Sequence, residues 1–225
     1  MIATIHQVNY LPWLGFFSKV KNSDAFVMFD IADYSKNGLM NRNKIRTADG
    51  WMYLTVPIEK KFHTKPFNEV MLPPDQRWRE DHWKAILFNY KKAEYFGSYS
   101  DFFEKLYRKK HKTLMELNEE IILYIFNQLG IEVKIFKTTE LATDKRLKKT
   151  GILLDILKSI SADTYLSGAG GKTYIEPEKF EEAGIELRFQ EYEHPEYKQR
   201  FDGFVPFMAA IDALFNLGEK ARNMV

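Results

Sequence analysis

The chain has no cysteine in its 225 residues, which excludes a disulfide framework and every thiolate metal site. It also lacks an apolar run near the roughly 18 residues that a membrane-spanning helix needs. At the N-terminus no cationic stretch leads into an apolar segment and a small-residue cleavage site, so no signal peptide is read there and a cytoplasmic protein is expected. An excess of one charge is missing too. The 33 basic and 31 acidic side chains leave +2, too balanced for a protein whose affinity comes from neutralising phosphates, so no nucleic-acid partner is expected. His63, His82 and His111 have no ligand-like spacing, and no metal site is predicted.

What is present is apolar and aromatic. The hydrophobic fraction is 45% and the aromatic fraction 15%, ample for a packed core and inconsistent with disorder. Tyr and Trp carry an apolar body and a polar tip, so some of them suit a pocket wall as well as a core. The length fits one α/β domain over residues 1–225, with the helix-rich stretch 78–130 as an insertion or cap.

Periodicity gives the order of elements. Ile2 to Ile5 reads as a buried strand, a helix follows Pro12 through Leu14, Phe17 and Val20, and Ala25 to Phe29 reads as a second strand. Strand, helix and strand within thirty residues make a βαβ unit with parallel strands. A hairpin is expected around Ala48-Asp49-Gly50, an Asp-Gly turn signal. Helical spacing recurs at Trp83 to Tyr90, at Phe102 to Tyr107, and from Leu114 to Leu129, where Gly130 stops it. Ile131, Val133 and Ile135 alternate as a strand, and a helix carries Leu153 to Ile160. A strand at Asp163 to Leu166, a short helix from Pro177, a strand from Ile185 to Phe189 and a helix from about Pro206 to Leu217 complete the chain. The fold class is α/β: a mainly parallel, Rossmann-like sheet with helices on both faces.

In such a sheet ligands bind beyond the carboxyl ends of the strands, and four strand ends carry polar clusters. After the first stand His6, Gln7, Asn9, Tyr10 and Trp13; after the second, Asp30. After the strand near residue 165 comes Ser167-Gly168-Ala169-Gly170-Gly171-Lys172, and after the last come Glu191, Tyr192 and His194. His6, titrating near neutrality, is the candidate general acid or base, with Gln7 and Asp30 beside it. The competing reading is a structural histidine. Asn9, Tyr10 and Trp13 would orient a polar ligand, together with Asn41, Arg42 and His194. The polar run Asn41 to Lys44 reads equally as plain surface. Ser167, Gly168, Gly170, Gly171 and Lys172 suit an anion, because glycines let backbone N–H groups approach a phosphate. The GxxxxGK[ST] and GxGxxG spacings are both missing, so an ordinary glycine turn is the alternative. The basic runs Arg108 to Lys112 and Lys145 to Lys149 read as solvated faces, or as steering for an anionic small ligand.

Several segments in order resemble the signature of the WbqC-like family. They are Ile5-His-Gln-Val-Asn-Tyr-Leu-Pro-Trp-Leu-Gly-Phe-Phe17, Asp24-Ala-Phe-Val, Asn41-Arg-Asn, Tyr165-Leu-Ser-Gly-Ala-Gly-Gly-Lys-Thr-Tyr174, His194-Pro-Glu-Tyr with Gln199, and Asp212-Ala-Leu-Phe-Asn216. The match runs from residue 2 to about 218. The family pattern has proline after the glutamine, where this chain has Val8. The resemblance implies a bacterial transferase of acyl, aminoacyl or nucleotidyl groups in surface-polysaccharide or O-antigen biosynthesis. Its expected partner is a small molecule, a nucleotide or an activated sugar; a non-catalytic sugar- or partner-binding protein of the same pathway is the alternative. Neither a cofactor nor an oligomeric state follows. A strand ending on His6 also resembles the first segment of HIGH-type nucleotidylyltransferases, with Tyr10 near the place of their second histidine. This chain lacks that histidine and a KMSKS-type segment.

Overall fold

The computed structural model describes residues 1–36 and 38–225. Strand β1 (Ile2–His6), helix α1 (Leu14–Lys21) and strand β2 (Ala25–Met28) form the opening βαβ unit, with Ala3 paired to Ala25 and His6 to Met28. The hairpin follows as β3 (Arg42–Thr47) and β4 (Gly50–Thr55). Helices α2 (Arg77–Tyr90), α3 (Phe96–Arg108) and α4 (Leu114–Leu129) lead to β5 (Lys134–Lys137). Then come α5 (Thr150–Ser159), β6 (Thr164–Ser167), α6 (Pro177–Glu182), β7 (Glu186–Phe189) and α7 (Ala210–Leu217).

The main sheet is parallel throughout, in the order β5-β2-β1-β6-β7. The chain winds outward from β1 through β2 to β5, and from β6 to β7 on the other side. The boundary between β1 and β6 is therefore a topological switch point. Alternation along the strands divides the core in two. Phe26 and Met28 face one hydrophobic cluster with α1 to α4 and α7, while Ala3, Ile5, Ala25 and Val27 face another with α5 and Phe180 of α6. The helices of the 78–130 stretch join the first cluster: Phe126 of α4 meets Phe17 and Phe26 edge-on, at ring separations of 5.9 and 5.7 Å. They are packed onto the sheet's own core.

Among the boundaries that differ from the sequence reading, two have identifiable reasons. β5 begins at Lys134 and not at Ile131. Gly130 ends α4 in the left-handed region at φ +66°, and Ile131 donates its N–H back to the Phe126 carbonyl, so Ile131 belongs to the helix cap. α7 starts at Ala210, four residues after Pro206. Before it, Phe207 holds a positive φ of 61° and Ala209 pairs with Trp13, donating its N–H to the Lys44 carbonyl.

Buried amides fix the loop between β1 and α1. Asn118 of α4, wholly buried, donates from Nδ2 to the carbonyls of Val8 at 2.9 Å and Met40 at 2.8 Å. Asn43 Nδ2 reaches the Leu11 carbonyl at 2.7 Å, and Leu11 holds a positive φ of 44°. The Tyr10 N–H donates to Leu39 O and the Ala210 N–H to Pro12 O. Loop residues in sparsely populated backbone regions persist only when their surroundings over-determine them, and this loop is tied to α4, β3 and α7.

Replacing Asn118 by Ala leaves two buried carbonyls without their donor. The expected cost is about 2–4 kcal/mol, read as a lower midpoint in urea unfolding with an unchanged slope; a loss under about 0.5 kcal/mol would contradict the role given to this amide.

Candidate functional site

A cavity of about 810 Å³ opens over the switch point at the carboxyl edge of the sheet. The end of β1 brings Ile5, His6 and Gln7 to its wall; β6 and the turn after it bring Tyr165, Ser167, Gly168, Gly170, Gly171 and Tyr174. Asp33, Asn68 and Glu69 come from the segments that follow β2, and Thr139 from the turn after β5. Lys145, Lys148 and Lys149 stand before α5, and Lys19 enters from α1. Four lysines thus face two carboxylates, and the field in the cavity favours an anionic ligand.

His6 is held by its own surroundings. Nδ1 lies 2.8 Å from the Gln7 carbonyl and the ring packs edge-on against Phe16. A carbonyl only accepts, so Nδ1 carries the proton and Nε2 keeps its lone pair. Burial, with the Lys19 charge second, lowers the imidazole pKa to about 3, against a single raising contact from Gln7. His6 is therefore neutral across the physiological range.

Lys19 is the least ordinary group in the wall. It is 2% exposed, and its ammonium has no hydrogen-bond or ion-pair partner among the described residues. Burial alone lowers its pKa to about 7. Its Nζ lies 3.8 Å from the point where a side chain on Gly168 would begin, directly under the glycine turn. Gly171 is required by close approach: a Cβ there would lie 2.2 Å from Ser167 Oγ and 2.7 Å from Ile175 Cδ1. Overpacking of this kind typically costs about 1–3 kcal/mol.

Asp30 stands just behind the wall. Its two carboxylate oxygens accept from the Thr139 N–H at 3.0 Å and the Thr139 hydroxyl at 2.5 Å, and its carbonyl accepts the Asn68 N–H. Both partners line the cavity, so Asp30 positions them. Thr138–Glu140 is a short 3-10 turn, and the carboxylate fixes its first residues.

The remaining residues singled out in the sequence lie away from the cavity. Tyr10 is fully buried, with its hydroxyl bonded to His82 and Tyr107. It does not stand beside His6 as the HIGH-type resemblance would have it. Asn9 is buried and contributes nothing to the wall among the described residues. Asn41 donates to the Val56 carbonyl, which makes it part of the hairpin's frame and not open surface. The Arg42 guanidinium lies 4.6 Å from the Tyr53 ring centre. Trp13 and His194 stack on one another in a separate aromatic group with Tyr192 and the half-exposed Phe207. Lys172 turns outward over the Phe189 ring. Among the described residues no three His, Asp or Glu side chains gather as a metal site, and no helix is long and apolar enough to cross a membrane.

The model of the WbqC-like protein family matches residues 7–224. The chain belongs to the WbqC-like family. It is 33% identical over 223 residues to the uncharacterized protein Rv1507c of Mycobacterium tuberculosis, covering 96% of this chain and 94% of that relative. No solved structure matches.

In this WbqC-like protein the sequence reading missed Lys19, Thr139, Asn68 and Tyr174. Lys19 follows Ser18 and precedes Lys21 in the last turn of α1, so nothing in the local pattern sets it apart from a solvated lysine. The others are far along the chain and carried no signal either.

Burial depresses His6 to about 3 and His82, which is bonded to Tyr10 and the Thr55 carbonyl, to about 4. The unfolded chain takes up both protons near pH 6.5, whereas the folded protein refuses them until pH 4 to 3. The histidine contribution to stability is therefore complete above pH 6.5 and falls as pH drops, by up to about 1.4 kcal/mol per pH unit for each histidine. Melting temperatures measured from pH 7 to 4 should decline, and the decline should be shallower in His6→Asn; identical slopes would show that His6 does not titrate as its burial requires.

Proposed function

We propose that the protein is a transferase acting on a nucleotide-linked or activated sugar, with the cavity over the switch point as its active site. One observation carries the reading: His6 and the Ser167–Gly171 turn meet across β1 and β6 in a cavity walled by lysines. Phosphate on the donor would be held by the turn's backbone and by Lys145, Lys148 and Lys149. The resemblance to proteins of surface-polysaccharide assembly supports the choice of a sugar nucleotide, and the concave wall with Tyr165 and Tyr174 suits one face of a base or sugar.

The chemistry follows from the His6 tautomer. An acceptor hydroxyl or amine attacks the acyl carbon or the phosphorus of the donor, and its proton passes to His6 Nε2. The bond to the leaving group breaks as the new bond forms. His6, a weak base in this setting, then returns the proton to the departing group. Gln7 and Asn68 are placed to orient the acceptor, while Asp30 acts through Thr139 and Asn68. Acyl, aminoacyl and nucleotidyl transfer all fit this scheme.

A second reading has its own observation. Trp13, Tyr192, His194 and Phe207 form an aromatic surface outside the cavity, with Phe207 53% exposed, which suits a non-catalytic sugar- or partner-binding protein of the same pathway.

Thermal shift with a panel of nucleotides and nucleotide sugars separates the two. A ligand at 100 times its dissociation constant adds about 2.7 kcal/mol, so at least one member should raise the melting temperature clearly. Turnover on that ligand should fall about 10²- to 10⁴-fold in His6→Ala. Stabilisation by none of the panel would favour the binding protein, and a loss under about threefold would remove His6 from catalysis.

A further inference from the structure

The four lysines of the cavity are not equivalent. Lys145, Lys148 and Lys149 are exposed at the rim, whereas Lys19 is buried at the base with its ammonium turned into the cavity and no partner among the described residues. A buried cation is ordinarily retained only with an opposite charge beside it. The carboxylates nearby do not supply one. Asp33 and Glu69 line the cavity without bonding Lys19, and both oxygens of Asp30 are taken by Thr139. Ser167 Oγ, at the end of β6, donates to the Gly168 carbonyl at 3.1 Å. The glycines of the turn leave the space above Nζ open: nothing lies within 4 Å of a Cβ placed on Gly170, and only Lys19 Nζ within that distance of one on Gly168.

We propose that Lys19 binds the ligand's anion from the base of this site, beneath the three rim lysines, taking the charge of a phosphate or diphosphate group beneath Gly168, and that binding places a proton on its amine. This rests on the cavity being the ligand site of the proposed function and names where the ligand's charge sits. The partner that Lys19 lacks is thus supplied by the ligand.

The sign of the coupling follows. Burial leaves the free amine titrating near 7, and an anion in contact favours the charged form, so the bound amine titrates higher. Between the two values each bound anion brings in one proton, and affinity falls about tenfold per pH unit as pH rises. Other titratable groups face the same space: His6 from β1, Asp33 and Glu69 after β2, Lys145, Lys148 and Lys149 before α5, and Tyr165 and Tyr174 from β6 and its turn. A Lys19 variant separates its share from theirs.

The probe is sulfate, whose charge is constant over the range, compared with chloride at equal ionic strength. Binding is read from the melting temperature of wild-type, Lys19→Met and Lys19→Arg proteins at pH 6.5, 7.5, 8.5 and 9.5. Wild type should bind sulfate at pH 6.5 and lose roughly a hundredfold in affinity between pH 7.5 and 9.5. Lys19→Met removes an unpaired buried charge without a large change of volume, so it should fold; it should bind at least tenfold more weakly at pH 6.5, with little pH dependence. Lys19→Arg, always protonated, should bind at pH 9.5 as well as at pH 6.5. Should Lys19→Arg not fold, the wild-type and Lys19→Met profiles decide alone. Absence of sulfate binding to wild type at pH 6.5, a pH-independent wild-type affinity, or equal affinity in Lys19→Met would each overturn the proposal. The nucleotide panel fails or succeeds separately. Lys19-dependent sulfate binding without any nucleotide response removes the transferase reading and leaves the anion site. A nucleotide response with unchanged sulfate affinity in Lys19→Met does the reverse.

Discussion

Asn118 is the tie on which the arrangement at the sheet edge depends. One amide, buried on α4, bonds both the β1–α1 loop at Val8 and the segment entering β3 at Met40. Those segments contain no regular hydrogen-bonded ladder of their own, and a buried carbonyl left without a donor costs about 1–3 kcal/mol. With both satisfied, the loop can turn through the strained Leu11 and still deliver Trp13 to the start of α1. The direction in which His6 and Gln7 leave β1, and hence the floor of the cavity, follows from that turn. Val8 itself is buried and held through its carbonyl.

A second buried network fixes the C-terminal part of the chain. Asp212 accepts from the hydroxyls of Tyr90 and Tyr197 and from Gln199 Nε2, at 2.9, 2.7 and 2.9 Å. Arg46 joins it through Gln199 Oε1 and the Asp202 carbonyl. Burial raises the Asp212 pKa while the three hydrogen bonds oppose the rise. This network is saturated, and it differs in kind from Lys19, which is buried with no such company. The contrast separates two uses of buried polarity: one set of groups satisfies itself and specifies a fold, and the other is left open toward a cavity.

The sequence made much of the frame legible. Apolar runs, the Asp49-Gly50 turn signal and periodicities of two and of 3.6 mark the seven strands and most helices, because burial is a local property of the pattern. The order of strands in the sheet was less accessible, yet the rule that ligands sit at carboxyl ends brought His6, Gln7 and the Ser167–Gly171 turn forward as one group, and the structure lines one cavity with them. The same rule also gathered residues that do other work. Tyr10 and Asn41 look like ligand-binding groups in a sequence, since polar side chains at loop positions read alike whether they face water or a neighbouring carbonyl. Only the fold shows Tyr10 bonded to His82 and Tyr107, and Asn41 bonded to Val56.

What the sequence determined by itself was the α/β class, the opening βαβ unit, the family and the glycine-rich turn, each written in short stretches of neighbouring residues. Tertiary structure decided which charges share a space. Lys172 adjoins the turn in the chain but lies over Phe189, whereas Lys19, about 150 residues earlier, has its Nζ 3.8 Å from the point where a side chain on Gly168 would begin. The reason is geometric: β1 and β6 are parallel neighbours, so α1, which follows β1, runs close to the residues that follow β6. Adjacency of that kind is set by strand order, and no local pattern of residues encodes it.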